Sequence, residues 1–168
     1  MKREKMNATE GFTLIELIIV IILVSILAII SVPIYQYNAE KAYLTEAFTN
    51  LRAIADANTV YYIEHKVWVN DIRVLPVNIE GTLINKDNMW RIENENFIYA
   101  CAGDSSTSNT IATVNRKPFK ERYWFSFSAV PSKKAPNLGK YAVTGDATYA
   151  KSKKIDKKLV EEYKSKYN

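Results

Sequence analysis

An α+β fold follows from three features of this 168-residue chain. An apolar run near the N-terminus passes into an amphipathic stretch at helical period. Short segments with strand character follow in the second half. A Lys-rich amphipathic segment closes the chain. Together they predict a long N-terminal helix, kinked near Pro33, packed on a small antiparallel sheet, with a C-terminal helix. The expected organisation is a charged leader over residues 1–11, a transmembrane or assembly helix over 12–35, and a globular head over 36–168. That head includes the second half of the long helix.

The apolar run, Leu14 to Ile34, is 21 residues long and is interrupted only by Glu16, Ser25, Ser31 and Pro33. About 20 apolar residues span a ~30 Å hydrocarbon core. A lone span in lipid must satisfy its own backbone, which leaves helix as its only form despite the many β-branched residues. Pro33 lacks an N–H and cannot bond the carbonyl of Ile29, so a kink or loosened turn is expected there. From Gln36 the helix is expected to continue to about His65. Leu44, Ala47, Phe48, Leu51, Ile54, Ala55, Tyr61 and Tyr62 recur at three- and four-residue spacing, one stripe at helical period. Phe12 to His65 as one helix would be roughly 80 Å long at 1.5 Å per residue. No head of this size buries both ends of such a helix. The first half therefore belongs to membrane or to other subunits.

Residues 70–96 read as a polar connecting loop with one or two short turns, around Pro76, Gly81 and the Asn85–Asn88 cluster. Strands are expected at Phe97–Ala102, Thr110–Val114, Arg122–Val130 and Lys140–Thr144. Between the first two, GDSSTSN is a turn. In the third, Tyr123, Phe125, Phe127 and Ala129 alternate with Trp124, Ser126, Ser128 and Val130, a half-buried pattern whose natural cover is the helix stripe. Pro131 to Asn137 is a loop. The last helix is expected from about Ser152, a candidate cap, to Lys166, with Ile155, Leu159 and Tyr163 stacked on one face. Tyr and Trp are expected to supply much of the head's core.

The formal net charge is +5. Residues 151–168 hold seven Lys against Asp156, Glu161 and Glu162, so most of the excess lies on the terminal helix. Lys153, Lys154, Lys157 and Lys158 either form a solvated face or attract DNA or another anionic polymer weakly. Lys2, Arg3 and Lys5 precede the apolar run and orient the N-terminus towards the cytoplasm. The same layout suits an ordinary secretory signal peptide or a signal anchor. However, the run exceeds the usual apolar region of about 7–15 residues, and YQYNAEKAYL after it offers no small-x-small cleavage site.

One residue in the run conflicts with its surroundings. An acidic side chain at the centre of a membrane helix costs roughly 2.5–3.5 kcal/mol on insertion scales, and residues 12–33 hold no Lys, Arg or His to offset Glu16. Its partner is expected from outside the segment. The heptapeptide around it, GFTLIEL over Gly11 to Leu17, resembles the processing and assembly signal of type IV pilins and of the related pseudopilins of type II secretion. The resemblance is specific from Gly11 to roughly Tyr35.

The resemblance implies cleavage between Gly11 and Phe12, N-methylation of Phe12, and an assembly contact in which Glu16 meets the Phe12 amine of a neighbouring subunit. It implies that Pro33 is a weak point permitting local unwinding as subunits pack. The implied partners are further copies of the chain, a prepilin peptidase and methyltransferase, an assembly ATPase with its inner-membrane platform, and membrane lipid. The implied location is the inner membrane before assembly, with the N-terminus cytoplasmic, and a surface or periplasmic fibre afterwards. Such fibres serve adhesion, motility, DNA uptake or secretion. Two departures bear on the subtype. Cys101 is the lone cysteine, so the disulfide-closed C-terminal loop of many such pilins is absent. KIDKKLVEEYKSKYN also lacks the Gly- and Asp-rich calcium loop common in major pseudopilins, which favours a pilus subunit over a pseudopilin. The remaining alternative is a membrane-anchored binding module or enzyme that does not polymerise.

No catalytic, metal or cofactor role is expected. His65 falls at the predicted helix end, where it acts as a cap, and no Cys/His cluster accompanies it. Cys101 reads as a small buried residue. Asp87 and Asp104 read as turn formers, and neither a phosphate-binding Gly-rich loop nor a hydrolase elbow is present.

Overall fold

The computed structural model describes residues 11–101, 110–118, 122–129, 141–148 and 153–167. The chain divides into two compact units, residues 1–40 and 41–168. Helix α1 runs unbroken from Leu14 to His65 and contains Pro33. In the first unit its apolar side chains from Leu14 to Ile34 are all exposed.

The second unit has the α+β fold class expected from the sequence. It holds a six-stranded antiparallel meander in the order β1-β2-β3-β4-β5-β6, comprising β1 (Thr82–Lys86), β2 (Met89–Glu93), β3 (Phe97–Ala100), β4 (Thr110–Arg116), β5 (Trp124–Ala129) and β6 (Tyr141–Asp146). Helix α2 (Lys154–Tyr167) follows and packs beside β6. The four expected strands are present, with ends shifted by a few residues. The GDSSTSN turn, the Pro131–Asn137 loop, Asp104 and the Ser152 cap fall largely or wholly outside the described residues.

The polar loop expected over 70–96 is corrected. It contains a single 3-10 turn, Ile72–Val74, and the β1–β2 hairpin. A two-residue connection, Asp87-Asn88, joins the strands, with φ of 56° at both positions and Lys86 paired to Met89. Two left-handed residues match the twist of the flanking strands, which is why this turn suits a tight hairpin. Asn and Asp tolerate that conformation better than other non-glycine residues. β1 is an exposed edge strand, so its sequence carries little apolar alternation.

The α1 stripe covers the sheet as expected. Leu44, Ala47, Leu51, Ile54 and Ala55 are fully buried. Phe48 is the hub: its ring lies 4.9 Å from Phe125, 5.7 Å from Phe127, 4.8 Å from Tyr163 and 4.9 Å from Tyr167. One aromatic side chain thus joins α1, β5 and α2. Gly145 on β6 stands opposite Phe125. A Cβ there would lie 2.6 Å from the Phe125 ring, so a larger residue would force the ring off the helix. Tyr99, Tyr123 and Tyr163 are core residues, whereas Trp68, Trp90 and Trp124 are only half-buried. The indoles therefore contribute less to the core than expected.

Three polar devices fix the head. Asn58 on α1 is fully buried. Its Nδ2 donates to the carbonyls of Val69 (3.0 Å) and Ile111 (3.2 Å), and its Oδ1 accepts from the Val69 N–H at 2.9 Å. The Ile111 carbonyl reaches Asn58 where the β4–β5 register shifts between Thr110 and Ala112. Asp156 on α2 is fully buried. It forms an ion pair with Arg122 and accepts from the Lys153 N–H at 2.8 Å, which both anchors and caps the helix. Lys41 on α1 pairs with Glu162 on α2.

Candidate functional site

The residues singled out at the N-terminus lie in sequence order along one exposed segment. Gly11 precedes the helix, and among the described residues no atom beyond its chain neighbours lies within 4 Å of the place a Cβ would occupy. Phe12 is 86% exposed. Thr13 stands at the N-cap position. Its N–H and Oγ1 donate to Glu16 Oε2 at 2.8 and 2.7 Å, while the Glu16 N–H lies 3.3 Å from Thr13 Oγ1. This is a capping box, in which a Thr and a Glu three residues on satisfy each other's backbone donors. Glu16 therefore has a local structural role that its charge alone did not reveal, although T-x-x-E stands openly in GFTLIEL. The hydrogen bonds orient the carboxylate but do not cancel its charge. The helix N-terminus adds a favourable partial positive charge.

Pro33 lies 17 residues beyond Glu16 on the same helix, about 25 Å at 1.5 Å per residue. The carbonyl four residues before it receives no N–H from the proline ring. Further up this segment Ser25 returns its hydroxyl to the Ile21 carbonyl at 2.7 Å, so its polarity is hidden from an apolar surrounding. Among the described residues, α1 is the one helix long and apolar enough to cross a membrane. An exposed apolar surface this extensive marks a membrane or protein contact.

The other candidates are scattered over the head. His65 ends α1, stacked on Tyr61 with ring centroids 4.0 Å apart. Its Nδ1 is 3.2 Å from the Tyr61 carbonyl, a bond it makes when that nitrogen carries the proton. Lys66 follows in the left-handed region, φ 62°, and its N–H closes the helix on the Tyr62 carbonyl at 2.8 Å. Cys101 is fully buried, and burial pushes its thiol up to about 12. A thiol held neutral in this way is a poor nucleophile. Lys153, Lys154, Lys157 and Lys158 are exposed. Among the described residues, no group of three or more His, Cys, Asp or Glu side chains is arranged to hold a metal ion.

Comparison with known proteins bears on the same N-terminal segment. Residues 6–32 match the model of the prokaryotic N-terminal methylation motif. The type IV major pilin protein PilE of Neisseria gonorrhoeae is 34% identical over 60% of this chain and 59% of its own length. A fimbrial protein of Moraxella nonliquefaciens is 57% identical over 26% of this chain and 29% of its own. No solved structure matches the chain. The type IV major alpha-pilin of Moraxella bovis is 31% identical over 97% of this chain and 96% of its own length. A match across nearly the whole of both chains, together with the N-terminal motif, shows that this chain belongs to the type IV pilin family.

Proposed function

We propose that the chain is a structural subunit of a type IV pilus-like fibre. It is made as a precursor inserted in the inner membrane through residues 12–35, with its N-terminus in the cytoplasm. A prepilin peptidase cuts between Gly11 and Phe12, and the new Phe12 amine is methylated. An assembly ATPase and its membrane platform then move the subunit into the fibre, which lies at the cell surface. No catalytic step is assigned to the chain itself.

The observation that carries this reading is Glu16, a carboxylate near the start of an exposed apolar helix and without a cation in residues 12–33. Cleavage after Gly11 creates a cation, because a methylated secondary amine stays protonated at neutral pH. A charged pair at low dielectric interacts far more strongly than one in water. The Phe12 amine of one subunit against Glu16 of the next cancels both charges and sets the axial register. Thr13 holds the carboxylate in place through the capping box. Pro33, by leaving one carbonyl unpaired, provides a point where the helix unwinds as subunits pack.

Replacing Glu16 with Ala tests the assignment in cells that co-express the wild-type chain. Membrane insertion should be equal or better, because a desolvation cost is removed. Entry into sheared fibres should fall at least tenfold relative to the membrane pool. Equal partition of Glu16→Ala and wild type between the two pools would refute the contact.

A further inference from the structure

The head half of α1 has two flanks of opposite electrostatic character. On one flank lie Tyr43, Glu46 and Asn50. Arg116 stands 5.2 Å from the Tyr43 ring, and Asn50 Nδ2 donates to the Tyr99 hydroxyl at 3.2 Å. Beside this flank, below the β1–β2 hairpin, is an open hollow of about 750 Å³. Its lining includes Glu46, Glu80, Glu93, Glu95 and Asn96. Lys117 neutralises Glu93 at 2.6 Å. Glu46, Glu80 and Glu95 are exposed and, among the described residues, stand outside any ion pair.

On the other flank Lys41, Thr45 and Phe48 face α2. The acidic residues of α2 are occupied: Asp156 by Arg122, Glu162 by Lys41 and Glu161 by Lys164. What α2 presents outward is therefore a basic face, with Lys153, Lys154, Lys157 and Lys158 all exposed. The hollow borders β1 and the basic helix borders β6, and these are opposite edges of the sheet. The hollow extends past β1 to Glu46 on α1 and Lys117 after β4, but among the described residues none of its lining belongs to β6 or α2.

We propose that the Lys face of α2 docks into the acidic hollow of the next head in the fibre. This rests on the fibre reading above. The two surfaces are different patches, so the contact is heterologous, and repetition of such a contact builds an open filament instead of a closed dimer. The hollow admits several lysine stems at once, and their charges meet Glu46, Glu80 and Glu95, which among the described residues stand outside any ion pair. Charge complementarity of this kind fixes register and excludes wrong pairings. One such contact is weak, and its repetition along a fibre makes it count.

Cysteine pairing in fibres of the full-length chain tests the contact. The native Cys101 is buried and silent. Fibres are sheared from cells, oxidised with copper phenanthroline and run on non-reducing gels. The double variant Glu95→Cys/Lys157→Cys should give a ladder of dimers, trimers and higher species. Each single variant should remain monomeric, because a heterologous contact never brings identical residues together. A second pair, Glu80→Cys/Lys154→Cys, covers a register offset by one turn. Reversing Glu46, Glu80 and Glu95 to Lys should lower fibre recovery at least threefold while the membrane pool stays at its wild-type level. Adding Lys153→Glu, Lys154→Glu and Lys157→Glu to the same chain should restore it.

Monomers from both double variants, or dimers from a single variant, would overturn the contact while fibres still form. Wild-type fibres that retain double-stranded DNA at low salt and release it near physiological salt, together with no ladder from either double variant, would assign the Lys face to nucleic acid instead. Absence of fibres from cells expressing the wild-type chain would overturn the fibre reading itself.

Discussion

Replacing Asp156 with Ala strands a guanidinium. Asp156 is fully buried, and the Arg122 side chain facing it is 12% exposed. Removing one partner of a buried pair costs about 3–5 kcal/mol, because the other charge is left uncompensated. The same substitution removes the bond from the Lys153 N–H, and loss of an N-cap interaction costs about 1 kcal/mol. Against a domain stability of about 5–15 kcal/mol, the variant should be severely weakened. Urea unfolding of the full-length protein in detergent, followed by Trp fluorescence, measures this. Urea is preferred to guanidinium because it does not screen charge. With a slope of about 2 kcal/mol per M, the two losses together should lower the midpoint by roughly 2–3 M. Exchanging both partners, Arg122→Met with Asp156→Leu, should recover most of the loss, since apolar replacement of a buried pair is often neutral or better. A midpoint shift below about 0.5 M for Asp156→Ala would refute the claim that this pair anchors α2.

Two further outcomes are expected. Asn58→Leu leaves the Val69 N–H and the Val69 and Ile111 carbonyls without their side-chain partner. With three such groups at about 1–3 kcal/mol each, the head should lose at least about 3 kcal/mol in the same urea assay, and a loss under 1 kcal/mol would contradict the role given to Asn58. Iodoacetamide at pH 8 should leave Cys101 unmodified until urea unfolds the chain, and rapid labelling of the folded protein would show that the thiol is accessible. Its thiol is raised from 9.0 to about 12 in the fold, so the unfolded chain ionises first. The stability tied to that neutral thiol is whole below pH 9 and is lost as pH rises towards 12.

The parts of the fold that were legible in the sequence are those in which burial writes a period. The α1 stripe of Leu44, Phe48, Leu51 and Ile54 and the alternation of Phe125 and Phe127 on β5 both face the same core, and both were readable. The β1–β2 hairpin was not. TLINKDNMWRIE has an exposed edge strand with little apolar alternation, and its turn uses Asp87-Asn88 without the glycine that usually marks such a connection. The Arg122–Asp156 pair was also illegible, since neither residue breaks a pattern and the two meet only when α2 folds back beside β6. At the N-terminus the limit was different. Glu16 stood out by its charge, and reading it as a charge alone concealed the capping box it closes with Thr13.

The central claim concerns the bond between Gly11 and Phe12. Intact-mass measurement and N-terminal sequencing of subunits from sheared fibres address it directly. A chain beginning at Phe12, with one methyl group on its amine and the first eleven residues absent, is the result expected. Fibre subunits that retain Met1, or that begin anywhere beyond Pro33, would contradict it.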